Sequence, residues 1–315
     1  MYNIGIDLGG TDIKTAIVDK KGVILAKEQC PTLAGRHYSE IVKDMCETAL
    51  LALEQAKLTL HEISSIGVGI PGIADDKTGK VIFCTNLSWF DIPLAEEIKK
   101  YINKPVYINN DATVAGYAEY IAGVSRNTHS SVFITLGTGV GAGIILNGKP
   151  WSGFHGIGSE LGHVTMDMID GVQCTCGNKG CLERYCSATA IIRLAKEALQ
   201  NIDNNTMLQK CGGNLDKLNA KIVIDSAKEG DPVALEVFDT YVEYLCKAIM
   251  VVTNMIDPEV IVLGGGVSKA GEFLVNAINA NIKKHLLFKT CEYPKILIAK
   301  LSADAGVIGA AMLGI

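Results

Sequence analysis

The same order of predicted elements occurs twice in this chain, and each copy begins with a buried strand that ends in a glycine turn. The first copy opens on "YNIGIDLGG" and the second on "SSVFITLGTG". In both, the turn leads into a hairpin of strands, which is followed by helix, strand, helix and strand. This is a coarse internal repeat rather than a solenoid period. We therefore expect two α/β domains of similar build that face each other across a cleft, with a boundary near residues 115–128.

The bulk composition narrows the class of protein. A chain of 315 residues suits two domains, and 48% hydrophobic against 20% charged residues is typical of a globular protein. A net charge of −5 without a Lys/Arg-rich block disfavours nucleic-acid binding. The N-terminus has no basic segment before an apolar one, and no apolar run reaches about 18 residues. We expect a cytoplasmic protein without a secretory signal or a membrane span.

Three turns carry glycines directly after predicted strands: "DLGGTDIK" (7–14), "LGTGVGAG" (136–143) and "LGGGVS" (263–268). Backbone without side chains can approach a phosphate closely, and successive N–H groups form an anion-binding nest. None of the three matches the Walker pattern. One such loop is more often a plain turn. Three loops, two of them at equivalent points of a repeat, favour the binding of phosphate groups.

Three cysteines form a C-x-C-x₄-C pattern at Cys174, Cys176 and Cys181, and His163 precedes them. Structural disulfides are rare in a reducing cytosol, whereas three cysteines and a histidine are a known tetrahedral zinc set. A cluster of thiols without a metal remains the alternative, and Cys186 is expected to be a bystander. The other cysteines are predicted to be small buried hydrophobes. They are Cys30, Cys46, Cys84, Cys211, Cys246 and Cys291.

Several motifs together resemble known sequences. "IGIDLGGTDIK", "LGTGVGAGII" and "VIVLGGGVS" resemble the two phosphate motifs and the adenosine motif of the actin–hexokinase–Hsp70 superfamily. "NLSW", "NNDATVAG", "GSELGH" and "CTCGNKGCLE" resemble elements of the ROK family, which includes bacterial ATP-dependent sugar kinases. The resemblance covers essentially the whole chain, and its motifs occur in the expected order.

The resemblance implies a fold of two RNase H-like (actin-like ATPase) domains facing a central cleft. The implied small N-terminal lobe spans residues 1–117, and a C-terminal helix at about 303–315 packs back onto it. The implied large lobe spans residues 118–302 and carries the zinc-binding loop. Nucleotide and sugar are expected in the cleft between these lobes.

The resemblance also implies ATP and Mg²⁺ at the glycine loops. Asp7 resembles the acidic residue near the metal–phosphate end of the nucleotide, and Mg²⁺ prefers carboxylate, phosphate and water oxygens. Thr11 and Thr138 could add hydroxyl contacts to phosphate. The implied nucleotide-binding residues are Asp7, Gly9, Gly10, Thr11, Lys14, Gly137, Thr138, Gly139, Gly264, Gly265 and Gly266.

Transfer of a phosphoryl group to a sugar hydroxyl needs a carboxylate that accepts the hydroxyl proton. Asp111 lies between the strand "VYIN" and a helix. From the residues alone the N-cap is the favoured role, whereas the family motif favours the catalytic base, and the two roles are compatible. The implied activity is ATP-dependent phosphorylation of the 6-hydroxyl of glucose. The implied sugar ligands are Asn86, Asn110, Asp111, Glu160, His163 and Glu183.

Zinc on His163, Cys174, Cys176 and Cys181 would be structural, because four protein ligands leave no open position. One nitrogen of His163 would then remain for a sugar hydroxyl, and the same loop would aim Glu183 at the sugar. The expected partners are a hexose and ATP, with neither nucleic acid nor membrane, in a homodimer or homotetramer.

Other functions remain to be weighed against a glucose kinase. N-acetylmannosamine or another hexose is an alternative acceptor. A sugar-responsive ROK transcriptional regulator is a rival from a different class. Such regulators carry a winged helix-turn-helix before the first strand, where this sequence has Met1, Tyr2 and Asn3. A chaperone-like or filament ATPase of the superfamily would not need the cysteine loop.

Overall fold

The protein is described by a computed structural model for residues 1–200, 202, 204–290 and 292–315. Its contacts divide it into two compact units. Unit 1 comprises Met1–Phe133, Gly143–Ser159 and Ala299–Ile315, and unit 2 comprises Ile134–Ala142 and Glu160–Ile298. The two lobes that the resemblance implies, residues 1–117 and 118–302, remain a prediction.

Strands and helices alternate along most of the chain. The strands are β1 (Tyr2–Leu8), β2 (Asp12–Asp19), β3 (Ile24–Pro31), β4 (Ile63–Ile70), β5 (Ile73–Asp75), β6 (Lys80–Cys84), β7 (Trp89–Ile92), β8 (Val106–Asn110), β9 (Ser130–Leu136), β10 (Val140–Leu146), β11 (Lys149–Trp151), β12 (Val260–Gly264) and β13 (Lys295–Ile298). The α-helices are α1 (Tyr38–Gln55), α2 (Leu94–Lys99), α3 (Asp111–Ala122), α4 (Glu183–Cys186), α5 (Ala188–Ala198), α6 (Thr206–Lys210), α7 (Ala220–Lys228), α8 (Pro232–Ile256), α9 (Glu272–Ile282) and α10 (Ala305–Met312). The predicted α/β class is confirmed.

A five-stranded sheet of order β3-β2-β1-β4-β8 forms the centre of unit 1. Strand β1 is antiparallel to β2 and parallel to β4, which is parallel to β8. Alternate residues of β1, such as Ile4 and Ile6, share one hydrophobic cluster with Ile41 and Met45 of α1. The apolar residues that recur at helical spacing in α1 therefore face this sheet.

The other face of β1 and β4 is covered by α10, and the two backbones approach each other very closely. A Cβ on Gly5 would overlap the carbonyl oxygen of Val307, and one on Gly67 would overlap that of Ala310. Gly309 likewise lies against the carbonyl of Val114 in α3. The glycines of β1 and β4 are thus what allows α10 to lie against the sheet, and Gly309 is what allows it to lie against α3.

Two further sheets complete the described part of the chain. One has the order β11-β10-β9-β12-β13, with β12 parallel to β13. The other is a small antiparallel sheet of order β5-β6-β7, which the sequence analysis did not predict. Among the described residues, no helix combines the length and the apolar character needed to cross a membrane.

The isolated cysteines mostly occupy the interior, as expected. Cys46, Cys84, Cys211 and Cys246 are buried, whereas Cys30 is only half-buried. The predicted burial of Cys291 falls outside the described residues.

Candidate active site

The first glycine turn, loop 1 (residues 9–11), joins β1 to β2 and is held by hydrogen bonds to its carbonyl groups. The Thr32 hydroxyl donates to the Gly9 carbonyl at 2.7 Å, and the Thr32 N–H donates to the Thr11 carbonyl at 2.8 Å. The Gly9 N–H is used within the turn, donating to the Asp12 carbonyl. The amides of Gly10 and Thr11 donate to no acceptor in the described part of the chain. Loop 1 therefore offers two N–H groups to an anion.

The second glycine turn, loop 2 (residues 137–139), joins β9 to β10 and is held in the same manner within unit 2. The Ala188 N–H donates to the Gly137 carbonyl at 2.8 Å, and the Thr189 hydroxyl donates to the Thr138 carbonyl at 2.9 Å. Both donors lie in the first turn of α5. The N–H groups of Thr138 and Gly139 find no acceptor among the described residues. Loop 2 is thus a second potential anion nest.

The third glycine turn, loop 3 (residues 264–266), follows β12. Gly265 has a φ of +83°, and a Cβ there would lie 2.6 Å from the carbonyl oxygen of Leu136. Only glycine fits this position without strain. The Ser268 hydroxyl donates to the Gly265 carbonyl at 2.8 Å. A hydroxyl therefore holds a carbonyl in all three loops.

Asp7 and Lys14 are register partners in the β1–β2 pair. Burial raises the pKa of the Asp7 carboxyl, and the charge of Lys14 opposes this effect. Gly306 in the first turn of α10 lies against the Asp7 carboxylate, where a Cβ would collide with it. A hard carboxylate whose charge Lys14 only partly compensates fits a Mg²⁺ ion that arrives with a nucleotide.

The cap of α3 is Asn110, which corrects the predicted capping by Asp111. The Asn110 side-chain oxygen accepts the N–H groups of Ala112 (2.9 Å) and Thr113 (3.2 Å), and its nitrogen donates to the Gly72 carbonyl (3.0 Å). The prediction was wrong by one position, because Asn and Asp are equally good caps and are neighbours in this sequence. Asn110 retains one side-chain N–H for a further acceptor.

Asp111 is the first residue of α3, at the carboxyl end of β8. Its Oδ1 accepts the Ala112 N–H at 2.7 Å. Burial, and to a smaller extent the charge of Asp111, raises the pKa of the nearby Cys84 thiol. Asn86, two residues beyond Cys84, packs beside loop 1, where a Cβ on Gly10 would lie 3.5 Å from its Cβ. Unit 1 therefore brings its predicted nucleotide and sugar residues into one region.

Unit 2 groups three of the predicted sugar ligands. Glu160 directly precedes a 3₁₀ turn that ends at His163, and Glu183 is the first residue of α4. Burial raises the pKa of Glu160, His163 opposes this, and the charge of Glu183 adds to it. A Cβ on Gly139 would lie 2.7 Å from Glu183 Oε2, so this carboxylate adjoins loop 2.

The predicted metal ligands converge. The ligand atoms of His163, Cys174, Cys176 and Cys181 all lie within 4.8 Å of one another. Cys174 Sγ is 3.8 Å from His163 Nδ1, and Cys176 Sγ is 3.6 Å from Cys181 Sγ. Zinc–sulfur bonds of about 2.3 Å in a tetrahedron give edges of about 3.8 Å, so the cluster fits Zn²⁺.

The cysteine cluster also contacts a predicted sugar ligand. Cys174 Sγ lies 3.2 Å from Glu183 Oε1. Cys186 is not part of the cluster, because its sulfur is fully buried near the Tyr241 carbonyl.

Three hydroxyl residues of the site escaped the sequence analysis. Thr32 and Thr189 are 23 and 51 residues away from the carbonyls they bind. No local spacing connects residues so far apart, so no sequence signal indicated them. Ser268 stands inside the motif "LGGGVS", yet its role depends on a side-chain direction that the motif does not specify.

Known proteins match this chain over nearly its full length. The ROK family model matches residues 3–315. The chain is 34% identical to a glucokinase of Thermotoga maritima over 98% of this chain and 96% of that protein. It is 35% identical to a glucokinase of Halalkalibacterium halodurans, over 99% and 94%.

Solved structures also match nearly the whole chain. A ROK family glucokinase from Streptomyces griseus in complex with glucose and AMPPNP has a TM-score of 0.83 and 32% identity, covering 99% of both chains. A ROK hexokinase from Thermus thermophilus has a TM-score of 0.84 and 30% identity, over 99% of this chain and 97% of that one. The xylose repressor of Bacillus subtilis is 26% identical, over 98% of this chain and 75% of that protein.

Proposed function

The chain belongs to the ROK family, and on that premise we propose that it is an ATP-dependent hexose kinase whose acceptor is the 6-hydroxyl of glucose. The observation that carries this proposal is the likeness to the Streptomyces griseus glucokinase with bound glucose and AMPPNP, which extends over 99% of both chains. The curated relatives named glucokinase, at 32–35% identity, support it.

Asp111 is the proposed general base. Its position at the end of β8 and the start of α3 is supported by a cap that does not depend on it, because Asn110 supplies the cap. The Asp111 carboxylate would accept the proton of the 6-hydroxyl as that oxygen attacks the terminal phosphorus of ATP and the bond from this phosphorus to the leaving ADP breaks. Such a base contributes about 10²- to 10⁴-fold to the rate.

The phosphates of ATP are assigned to loops 1 and 2. The free N–H groups of these loops, together with Lys14, would bind phosphate oxygens. Loop 3 is assigned to the adenosine. Asp7 is the carboxylate that would face Mg²⁺, and the bound ion would supply charge neutralisation of the phosphates.

The cysteine cluster is proposed to hold structural Zn²⁺. Through the contact of Cys174 with Glu183, and through His163 itself, the cluster would orient two of the sugar ligands. Glu160, His163 and Glu183 would bind sugar hydroxyls, together with Asn86 and Asn110.

A coupled assay of ADP release tests the proposal, with Mg-ATP and a panel of glucose, mannose, N-acetylmannosamine and xylose in the cytoplasmic pH range. We expect the highest kcat/KM with glucose. Turnover with N-acetylmannosamine alone would keep the kinase assignment but change the proposed acceptor from glucose to N-acetylmannosamine. No ADP release with any sugar would contradict the kinase assignment.

A sugar-responsive regulator is the second candidate. It is favoured by relatives named xylose repressor at 26–28% identity and by a ROK transcriptional regulator structure with a TM-score of 0.86 and 27% identity. Sequence-specific DNA binding that xylose weakens, without turnover of ATP, would support this candidate instead.

A further inference from the structure

A threonine hydroxyl holds a carbonyl of the phosphate loop in each unit. Thr32 binds the Gly9 carbonyl of loop 1, and Thr189 binds the Thr138 carbonyl of loop 2. The two threonines come from different kinds of element, since Thr32 directly follows β3 and Thr189 lies in α5. The internal repeat does not by itself place a threonine at equivalent positions.

The geometry of the peptide bond links each carbonyl to one N–H. In a planar trans peptide, the C=O and the N–H of the next residue point in opposite directions. A hydroxyl that binds the Gly9 carbonyl therefore directs the Gly10 N–H to the opposite side. By the same rule, the Thr189 hydroxyl directs the N–H of Gly139. These are N–H groups that donate to no acceptor in the described part of the chain.

We propose that Thr32 and Thr189 are positioning residues for phosphoryl transfer, each fixing the peptide plane that presents a loop N–H to a phosphate oxygen. This inference rests on the proposed kinase function. Glycine-rich backbone has more freedom than any other, so an unanchored loop would lose N–H alignment readily. Aligned donors matter because preorganised dipoles stabilise the charge of the transition state without reorganising.

Thr32 is itself firmly held. It is fully buried, and its carbonyl accepts a hydrogen bond of 2.8 Å from Arg36 Nη2. The same nitrogen pairs with the Asp44 carboxylate of α1 at 2.6 Å. A series of contacts thus connects α1 to loop 1. Thr189 follows Ser187, whose side chain caps α5 by accepting the Ala190 N–H at 3.0 Å.

Thr32→Val and Thr189→Val remove each hydroxyl with little change of shape. We expect kcat/KM for ATP to fall about tenfold or more in each, since small misplacements of catalytic groups have large effects on rate. The Kd for AMPPNP should rise in parallel, while the Kd for glucose stays within about twofold. Thr32→Ser and Thr189→Ser keep a hydroxyl and should restore kcat/KM for ATP.

Each variant has a matched control. Thr128 is half-buried in unit 1 and donates its hydroxyl to the Ser125 carbonyl at 2.8 Å. Thr240 is half-buried in unit 2 and donates to the Glu236 carbonyl at 3.0 Å. Thr128→Val and Thr240→Val lose the same kind of hydrogen bond away from the loops. Both should keep the wild-type kcat/KM for ATP.

The outcomes separate this inference from the function on which it rests. An active wild type whose two valine variants keep kcat/KM for ATP within twofold overturns the positioning role alone. An effect in only one variant overturns the role of the other threonine. A wild type that neither releases ADP nor binds AMPPNP overturns both proposals. If Thr32→Val does not fold, Thr32→Ser tests loop 1, where a loss of kcat/KM for ATP with the hydroxyl kept overturns the role of Thr32, and Thr189→Val with Thr189→Ser tests loop 2.

Discussion

Asp111 begins α3, but the side chain that caps this helix belongs to Asn110. Asp111→Asn should therefore change the free energy of unfolding by about 1 kcal/mol or less, because the cap remains. If Asp111 is the base, kcat should fall by about 10²- to 10⁴-fold. The glucose Kd should stay within about tenfold, since an amide still hydrogen-bonds a hydroxyl. Turnover at saturating substrates and calorimetric titration with glucose measure the two quantities.

Asp231 provides the matched control for this substitution. It caps α8 by accepting the Ala234 N–H at 2.9 Å, and it also accepts from the side chain of Asn205. Asp231→Asn turns one acceptor into a donor that faces another donor, so Tm should fall while kcat stays unchanged. Wild-type turnover in Asp111→Asn would remove Asp111 from the mechanism.

Asp7 is a residue at which stability and activity should change in opposite directions. Burial raises the pKa of its carboxyl, so the ionised form lowers stability at neutral pH. The wild type loses stability as the pH rises through the folded-state pKa of Asp7, and Asp7→Asn avoids that loss. The variant should be the more stable protein at neutral pH. The difference should vanish as the pH falls below the ordinary aspartate pKa, where the wild type is also neutral.

The same substitution removes the carboxylate proposed to face Mg²⁺, so kcat should fall by about 10²-fold or more. Urea unfolding across a pH series, beside turnover at neutral pH, measures both effects. A variant that is less stable than the wild type at neutral pH would contradict the assigned cost of the charge.

At the scale of the element, the cysteine loop should bind about one Zn²⁺ per chain. Cys176 is the exposed member of the cluster. Cys176→Ser should therefore lower the zinc content without disturbing the core. The glucose Kd should rise about tenfold or more, since ligand-orienting groups typically matter on this scale. The AMPPNP Kd should change less, because the loop contributes His163 and Glu183 to the proposed sugar ligands.

Cys30→Ser is the control, because Cys30 is half-buried in unit 1 and lies in β3. It should keep both its zinc and its glucose affinity. Elemental analysis that finds no zinc in active wild-type enzyme would exclude the structural metal.

The elements that the sequence predicts well are those with a strong local pattern. Helix α1 follows from the helical periodicity of residues such as Ile41 and Met45, which bury one face, and strand β1 follows from a short apolar run that ends in a glycine turn. The small sheet of β5, β6 and β7 was missed, since its strands are three to five residues long. Strands this short give too few alternations for a period to be recognised.

At the scale of the whole molecule, the candidate site contains residues that belong to local sequence motifs and residues that only the fold brings together. Residues carried by short motifs, such as Asp7 and His163, could be named from the sequence. Thr32 and Thr189 could not, because their partners are brought to them by the fold. Loop carbonyls accept from whichever donor the tertiary structure places nearby, and a sequence pattern of a few residues does not contain that information.

The two proposed sets of sugar ligands can each be tested in the whole chain. Asn86, Asn110 and Asp111 lie in unit 1, whereas Glu160, His163 and Glu183 lie in unit 2. A ligand that binds only the folded protein stabilises it by about 2.7 kcal/mol at a concentration of 100 Kd. Glucose at that concentration should slow amide hydrogen exchange at residues 86–90 and 110–113 of unit 1 and also at 160–164 and 181–186 of unit 2. Asp111→Asn should show the same protection without turnover, since it retains the hydrogen bond to the hydroxyl. A sugar alcohol at equal concentration is the control for solvent effects and should protect neither set. Protection confined to one unit would remove the other unit's residues from the sugar ligands, whatever the kinase assay shows.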